Sequence, residues 1–194
     1  MKAMRTVLLA LLGLWFLAVA SADSAHSATN TASLSVGWNH VCYIGTEQPV
    51  QAALGDIADS VQAVYRMGAG GAWDRWVAES AQTSTMETVR PYDPLLVLTS
   101  ESLTWTQTRD EFAPDTVDLE QGWNARCYEG EDEDIDEAVK GVQGQVTIVY
   151  ALIPGQGWLR YVPDRPEIGT LERLQRHQAV LVLVTDSAGA VWRF

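Results

Sequence analysis

The chain has 194 residues, with 25 acidic and 13 basic side chains and a net charge of −12. That length admits one domain or two small ones. The acidic balance repels phosphate backbones and argues against nucleic acid as a partner.

Lys2 and Arg5 precede an apolar run from Val7 to Ala20, and small residues follow at Ala20-Ser21-Ala22. This pattern reads as a secretory signal peptide over residues 1–22. At 14 residues, the run is shorter than the ~20 that a spanning helix requires. The expectation is therefore an extracytoplasmic, secreted or cell-surface protein with no membrane span after cleavage. Cleavage removes two cations and no anions, taking the charge from −12 to −14 (−12 minus 2). Residues 23–32 are small and polar and read as a flexible leader.

Beyond the leader the chain repeats itself. "LSVGWNHVCYIG" from Leu34 superposes on "LEQGWNARCYEG" from Leu119 with seven identities, at an offset of 85. The offset persists: Val64-Tyr65 falls on Val149-Tyr150, Trp73 on Trp158, Arg75 on Arg160 and Trp76 on Tyr161. A two-residue insertion then places Trp105 on Trp192. Fixed-period self-similarity of this kind marks repeated structural units. The expected organisation is unit 1 over 33–105, a linker over 106–117 and unit 2 over 118–194.

Within each unit the pattern is mainly that of strands. Trp38, His40, Cys42 and Ile44 alternate with Asn39, Val41 and Tyr43, which is strand periodicity. Pro49 to Gly55 and Asp134 to Lys140 read as short helices, with Val50, Ala53 and Leu54 on one face of the first. Val61 to Met67 and Val146 to Leu152 are strands. Trp73 to Val77 and Trp158 to Val162 follow Gly-rich turns as hairpin partners. Thr85 to Val89 and Thr170 to Leu174 suit short helical turns, and apolar strands at Leu95 and Ala179 precede the closing ones. The fold class is mainly β (β-rich α+β), with about five short antiparallel strands and one or two short helices per unit.

These motifs resemble an uncharacterised repeat family of secreted bacterial proteins, often from Chloroflexota, with a "GWN" opening strand. "GWN" stands at Gly37 and Gly122, and "WLRYVPDRPEIGTLERL" begins at Trp158. The first copy departs from the pattern at Ala78, where the second has Pro163. The resemblance implies export and modular use in surface proteins, with no catalytic residues to carry over.

The candidate functional residues are aromatic. Trp38, Trp123, Trp105 and Trp192 are expected in the cores. Trp73, Trp76, Trp158 and Tyr161 lie beside the Gly-rich turns and are the candidate ligand-binding set, since ring faces bind flat apolar surfaces. Asn39 and Asn124 read as locks on the backbone. Cys42 and Cys127 occupy equivalent positions and, in an oxidising compartment, are either a disulfide between the units or two buried thiols.

Asp132, Asp134 and Asp136 have carboxylate-loop spacing, but Glu137 stands where a calcium loop requires Gly. No metal or cofactor is expected. No catalytic motif appears, and neither His40 nor His177 has a histidine at the aligned position. The sequence therefore reads as a non-catalytic exported binding or scaffold module for a glycan or protein partner. The alternatives are a purely structural protein with all aromatics in the core and, less favoured, a secreted hydrolase. The last of these requires a carboxylate and a histidine, or two carboxylates, in one cleft.

Overall fold

The computed structural model describes residues 28–68, 71–109 and 113–194. The expected signal peptide and residues 23–27 lie outside the described residues. The fold is mainly β, in several antiparallel sheets.

The first half begins with β1 (Ala28–Leu34) and β2 (Gly37–Tyr43). Next come the two-residue β3 (Gln48–Pro49), the short helix α1 (Val50–Leu54) and a 3₁₀ turn over Gly55–Ser60. The half is completed by β4 (Val61–Met67), β5 (Trp73–Val77), β6 (Thr88–Val89), β7 (Asp93–Thr99) and β8 (Leu103–Arg109). The second half contains β9 (Thr116–Leu119), β10 (Gly122–Tyr128), β11 (Glu133–Asp134), α2 (Ile135–Ala138) and β12 (Val146–Ile153). It ends with β13 (Gly157–Tyr161), β14 (Arg173–Leu174), β15 (Gln178–Val184) and β16 (Ala190–Arg193).

Strand pairing in the two halves follows the 85-residue offset. Gly37 faces Thr99 in the β2–β7 ladder, and Gly122 faces Val184 in β10–β15. A register irregularity at Val61/Ala63 has its counterpart at Val146/Ile148. Each half thus forms a four-stranded antiparallel sheet, β2-β7-β4-β5 and β10-β15-β12-β13. The two join through one bridge between Val41 and Gln178. Gly37 and Gly122 have φ of +94° and +100°, a region that side chains strain.

Each half has its own core. In the first, Val64, Leu95, Val97 and Tyr43 pack under Trp105; in the second, Val149, Val180, Val182 and Tyr128 pack under Trp192. Trp105 Nε1 donates to Ala53 O at 3.0 Å, and Trp192 Nε1 donates to Ala138 O at 2.7 Å. A buried indole N–H needs such a partner, and each helix supplies one. Tyr43 stacks on Trp105 with centroids 5.7 Å apart. A Cβ at Gly45 or Gly130 would lie 2.3 Å from the hydroxyl of Tyr43 or Tyr128, so the tyrosine two residues earlier requires glycine there.

Three local expectations are corrected. Residues 28–32, expected as flexible leader, are in β1, which pairs with β8 from Ala28↔Arg109 to Leu34↔Leu103. The expected linker consequently starts later, because Thr106 to Arg109 belong to β8. Alternation explains the extension: Trp105 and Gln107 point inward from β8, and β-branched Thr29 and Thr31 suit a pleated partner. The segments expected as helical turns at 85–89 and 170–174 end instead in β6 and β14, which pair with β3 and β11. Thr85 and Met86 both donate to Arg75 O, and Thr170 and Leu171 both donate to Arg160 O, which draws these segments out along the sheet edges.

Candidate functional site: an aromatic groove across both halves

Odd-numbered β2 residues Asn39, Val41 and Tyr43 face the core of the first half, so Trp38, His40 and Cys42 project from the opposite face of the sheet. Register places Leu98 beside Trp38, Leu96 beside His40, Tyr65 beside Leu96, and Trp73 beside Met67. The result is an apolar, ring-bearing surface on which Trp38 and Trp73 stay about half exposed. The same construction in the second half presents Trp123, Tyr150 and Trp158.

Trp38 and Trp123, expected in the cores, are 48 % and 46 % exposed. The core lies on the other face, where small Asn39 and Asn124 are buried instead. Asn39 Nδ2 donates to Ser35 O at 2.8 Å and its Oδ1 accepts from Ser35 N at 2.8 Å. Asn124 makes the equivalent bonds to Glu120. Each Asn therefore closes the turn before its strand.

The four residues expected to bind ligand divide evenly. Trp73 and Trp158 are 45 % and 43 % exposed. Trp76 is half-buried and packs on the first core. Tyr161 is 2 % exposed, too little to form a contact surface. Its phenol donates to the Asp136 carboxylate and accepts from Gln143 Nε2 at 3.2 Å. Burial, and then the Asp136 carboxylate, push it up to about 12. Trp76 and Tyr161 fall on the inward positions of β5 and β13, whereas Trp73 and Trp158 fall on the outward ones.

Trp38, Tyr65, Trp73 and Leu96 of the first half meet Leu152 and Trp158 of the second around an open groove of about 640 Å³. Trp38 lies edge-on to Tyr65, with centroids 5.6 Å apart and planes at 64°. Trp158 lies at 90° to Tyr150 and at 54° to His40. His40 is buried, and its Nδ1 has no hydrogen-bond partner among the described residues. Burial alone pushes its basicity down to about 3, so it sits under Trp158 as a neutral ring.

The halves are fastened beside this groove. Cys42 and Cys127 form a disulfide with Cα atoms 5.4 Å apart, which decides between the two readings the sequence allowed. Around it, Ile44 and Tyr92 of the first half correspond to Glu129 and His177 of the second. His177 Nδ1 lies 2.9 Å from Glu129 Oε2, and Glu129 Oε1 is 3.6 Å from Cys42 Sγ. This is the carboxylate–histidine pair that a hydrolase reading requires. The Glu129 side chain is 0 % exposed, and that of His177 is 16 % exposed.

Sequence reasoning did not single out Glu129, because only one copy carries it and it lies within an acidic run. Three other acids of that run, Glu131, Asp132 and Asp134, meet Arg173 or Arg176, while Glu137 pairs with Lys140. Arg173 pairs with Asp134 at 2.7 Å, Arg176 pairs with Glu131 at 3.5 Å, and the Arg176 N–H donates to Asp132 Oδ1. Among the described residues, the close group of metal-ligating types is Cys42, Cys127 and Glu129. Its two sulfurs are bonded to each other and offer no thiolate.

No helix among the described residues is long and apolar enough to cross a membrane. Comparisons with family models, curated proteins and solved structures find no match to this chain.

Proposed function

We propose that this protein is a non-catalytic, exported binding module that acts at the cell surface through the aromatic groove. The observation that carries the reading is the half-exposure of Trp38, Trp73 and Trp158 around one groove lined from both halves. Large aromatic side chains left in water forgo the ~1.5–3 kcal/mol that burying one would contribute, and contiguous apolar patches on soluble proteins mark interaction sites. The signal-peptide pattern over residues 1–22 and the likeness to the "GWN" family support an exported setting. The disulfide is compatible with the same setting.

The test is a glycan array together with a pull-down on purified protein, repeated with the double variant Trp73→Ala/Trp158→Ala. The expected result is a ligand whose retention the double variant abolishes. Blank results in both assays support the alternative, a purely structural protein.

A further inference from the structure

The groove is lined by three indoles, one phenol and two leucines, with no charged side chain and no amide. Such a lining takes an apolar body and leaves the polar end of a ligand to the surrounding face. Trp73 and Arg75 project from one face of β5, and Trp158 and Arg160 from the corresponding face of β13. Among the described strand residues that share this outward face of the two four-stranded sheets, Arg75 and Arg160 carry the only charges. No carboxylate accompanies them there.

The two arginines are equivalent under the 85-residue offset and are held alike. Arg75 Nε donates to Thr83 O at 2.7 Å, and Arg160 Nε donates to Ile168 O at 3.2 Å. Both residues are exposed, and neither pairs with a carboxylate among the described residues. Arg66, Arg90, Arg165, Arg173 and Arg176 all do. In a chain with 25 acidic side chains, that leaves two clamped guanidiniums whose Nη groups are open to an external anion. The two Nη groups of one guanidinium form a fork that matches a carboxylate.

Position selects between them. Arg75 lies directly across from Tyr65 and two residues from Trp73, and both of those line the groove. These relations correspond to spacings of about 5 Å and about 7 Å on the sheet. Arg160 has one such neighbour, Trp158, because Tyr150 across from it lies outside the lining. The overall charge of −12 acts weakly at this point, since salt screens it beyond ~8 Å. It does oppose docking on an anionic bilayer, which would face the whole acidic surface. The six lining residues come from six different strands around about 640 Å³, which calls for a body longer than a single ring.

We infer that the groove binds a free long-chain carboxylic acid, with its alkyl chain between Trp38, Trp73 and Trp158 and its carboxylate on the Nη groups of Arg75. The inference rests on the binding reading above and names its ligand class. The experiment is calorimetric titration of the purified protein with dodecanoate below its micelle concentration, with octanoate, dodecanol, 1-naphthoate and cellohexaose as parallel probes. Dodecanoate is expected to bind, and octanoate, four methylenes shorter, to bind at least about tenfold more weakly. Dodecanol, with the same chain and no charge, should lose about tenfold, and so should dodecanoate on Arg75→Gln. Arg75→Lys should lose less, and Arg160→Gln should stay near the parent. Salt should weaken dodecanoate and leave dodecanol unchanged, a readout that needs no variant. Trp73→Ala/Trp158→Ala should abolish binding, and far-UV circular dichroism confirms that each variant is folded. Dodecanol or 1-naphthoate binding as tightly as dodecanoate, or an equal loss in Arg160→Gln, overturns the inference. If dodecanoate does not bind but cellohexaose or a pulled-down protein does so in a Trp73- and Trp158-dependent way, the ligand class falls and the binding reading stands. If nothing binds, both fall.

Discussion

The two ends of the aromatic face are built from strands in matching register, yet they differ. At the Trp38 end, Tyr65, Leu96 and Leu152 enclose an open apolar groove of about 640 Å³. At the Trp123 end, Met67 and Gly68 meet Glu120, Asn124 and Arg126 around only about 170 Å³. Two equivalent strand positions differ between the halves at these ends. His40 stands under Trp158 where the second half has Ala125, and Arg126 replaces Val41. The Arg126 guanidinium bends back to Asp118 O at 2.8 Å, bringing polar groups to that edge. The halves also meet asymmetrically, because β2 bridges β15 at Val41↔Gln178. Similar backbones therefore carry unequal surfaces.

The comparison is broken most severely through what the two ends share. Trp105→Ala and Trp192→Ala each remove a fully buried ring and its hydrogen bond to a helix carbonyl. Each is expected to cost about 3–5 kcal/mol in urea denaturation, by similar amounts in the two halves. Loss in only one would show that the cores are not equivalent.

Next in size is the fastening. Cys42→Ser/Cys127→Ser is expected to lower stability by roughly 2–4 kcal/mol, read from the same denaturation curves. Because the groove takes side chains from both halves, the double variant should also weaken any Trp158-dependent binding. Unchanged stability would mean that the halves hold together without the bond.

Acid should act chiefly through the half that carries His40. Its basicity is held down to about 3 in the fold, against an ordinary value of 6.5. The unfolded chain therefore takes up the proton first as pH falls. The stabilisation is complete above pH 6.5 and is lost between 6.5 and 3. Relative to pH 8, about 2 kcal/mol is lost at pH 5. His40→Ala, which copies Ala125, should flatten that part of the pH profile; an unchanged slope assigns the acid sensitivity to other groups.

The smallest stability effect isolates the surface. Trp38→Ala and Trp123→Ala should each cost about 1 kcal/mol or less, since both rings are half in water. Ligand affinity should fall about tenfold for Trp38→Ala only, equivalent to ~1.4 kcal/mol. Equal losses would show that the Trp123 end also binds.

Much of the fold was legible in the residues. The 85-residue offset, the β periodicity of β2 and β10, the helices after Pro49 and Asp134, and the core placement of Trp105 and Trp192 all follow from local pattern. Strand and turn chemistry are set by neighbours in sequence, and two aligned copies filter chance similarity. Strand alternation also separates Trp38 from Asn39 and Trp73 from Trp76. Period two identifies two faces without saying which one is covered. Only the tertiary structure decided that the indole face of β2 looks outward, that Tyr161 is buried over Asp136, that Cys42 meets Cys127, and that a groove opens between Trp38 and Leu152. Each of those outcomes depends on contacts between residues far apart in the chain, two of them in opposite halves, and no local pattern encodes how two sheets lie against one another.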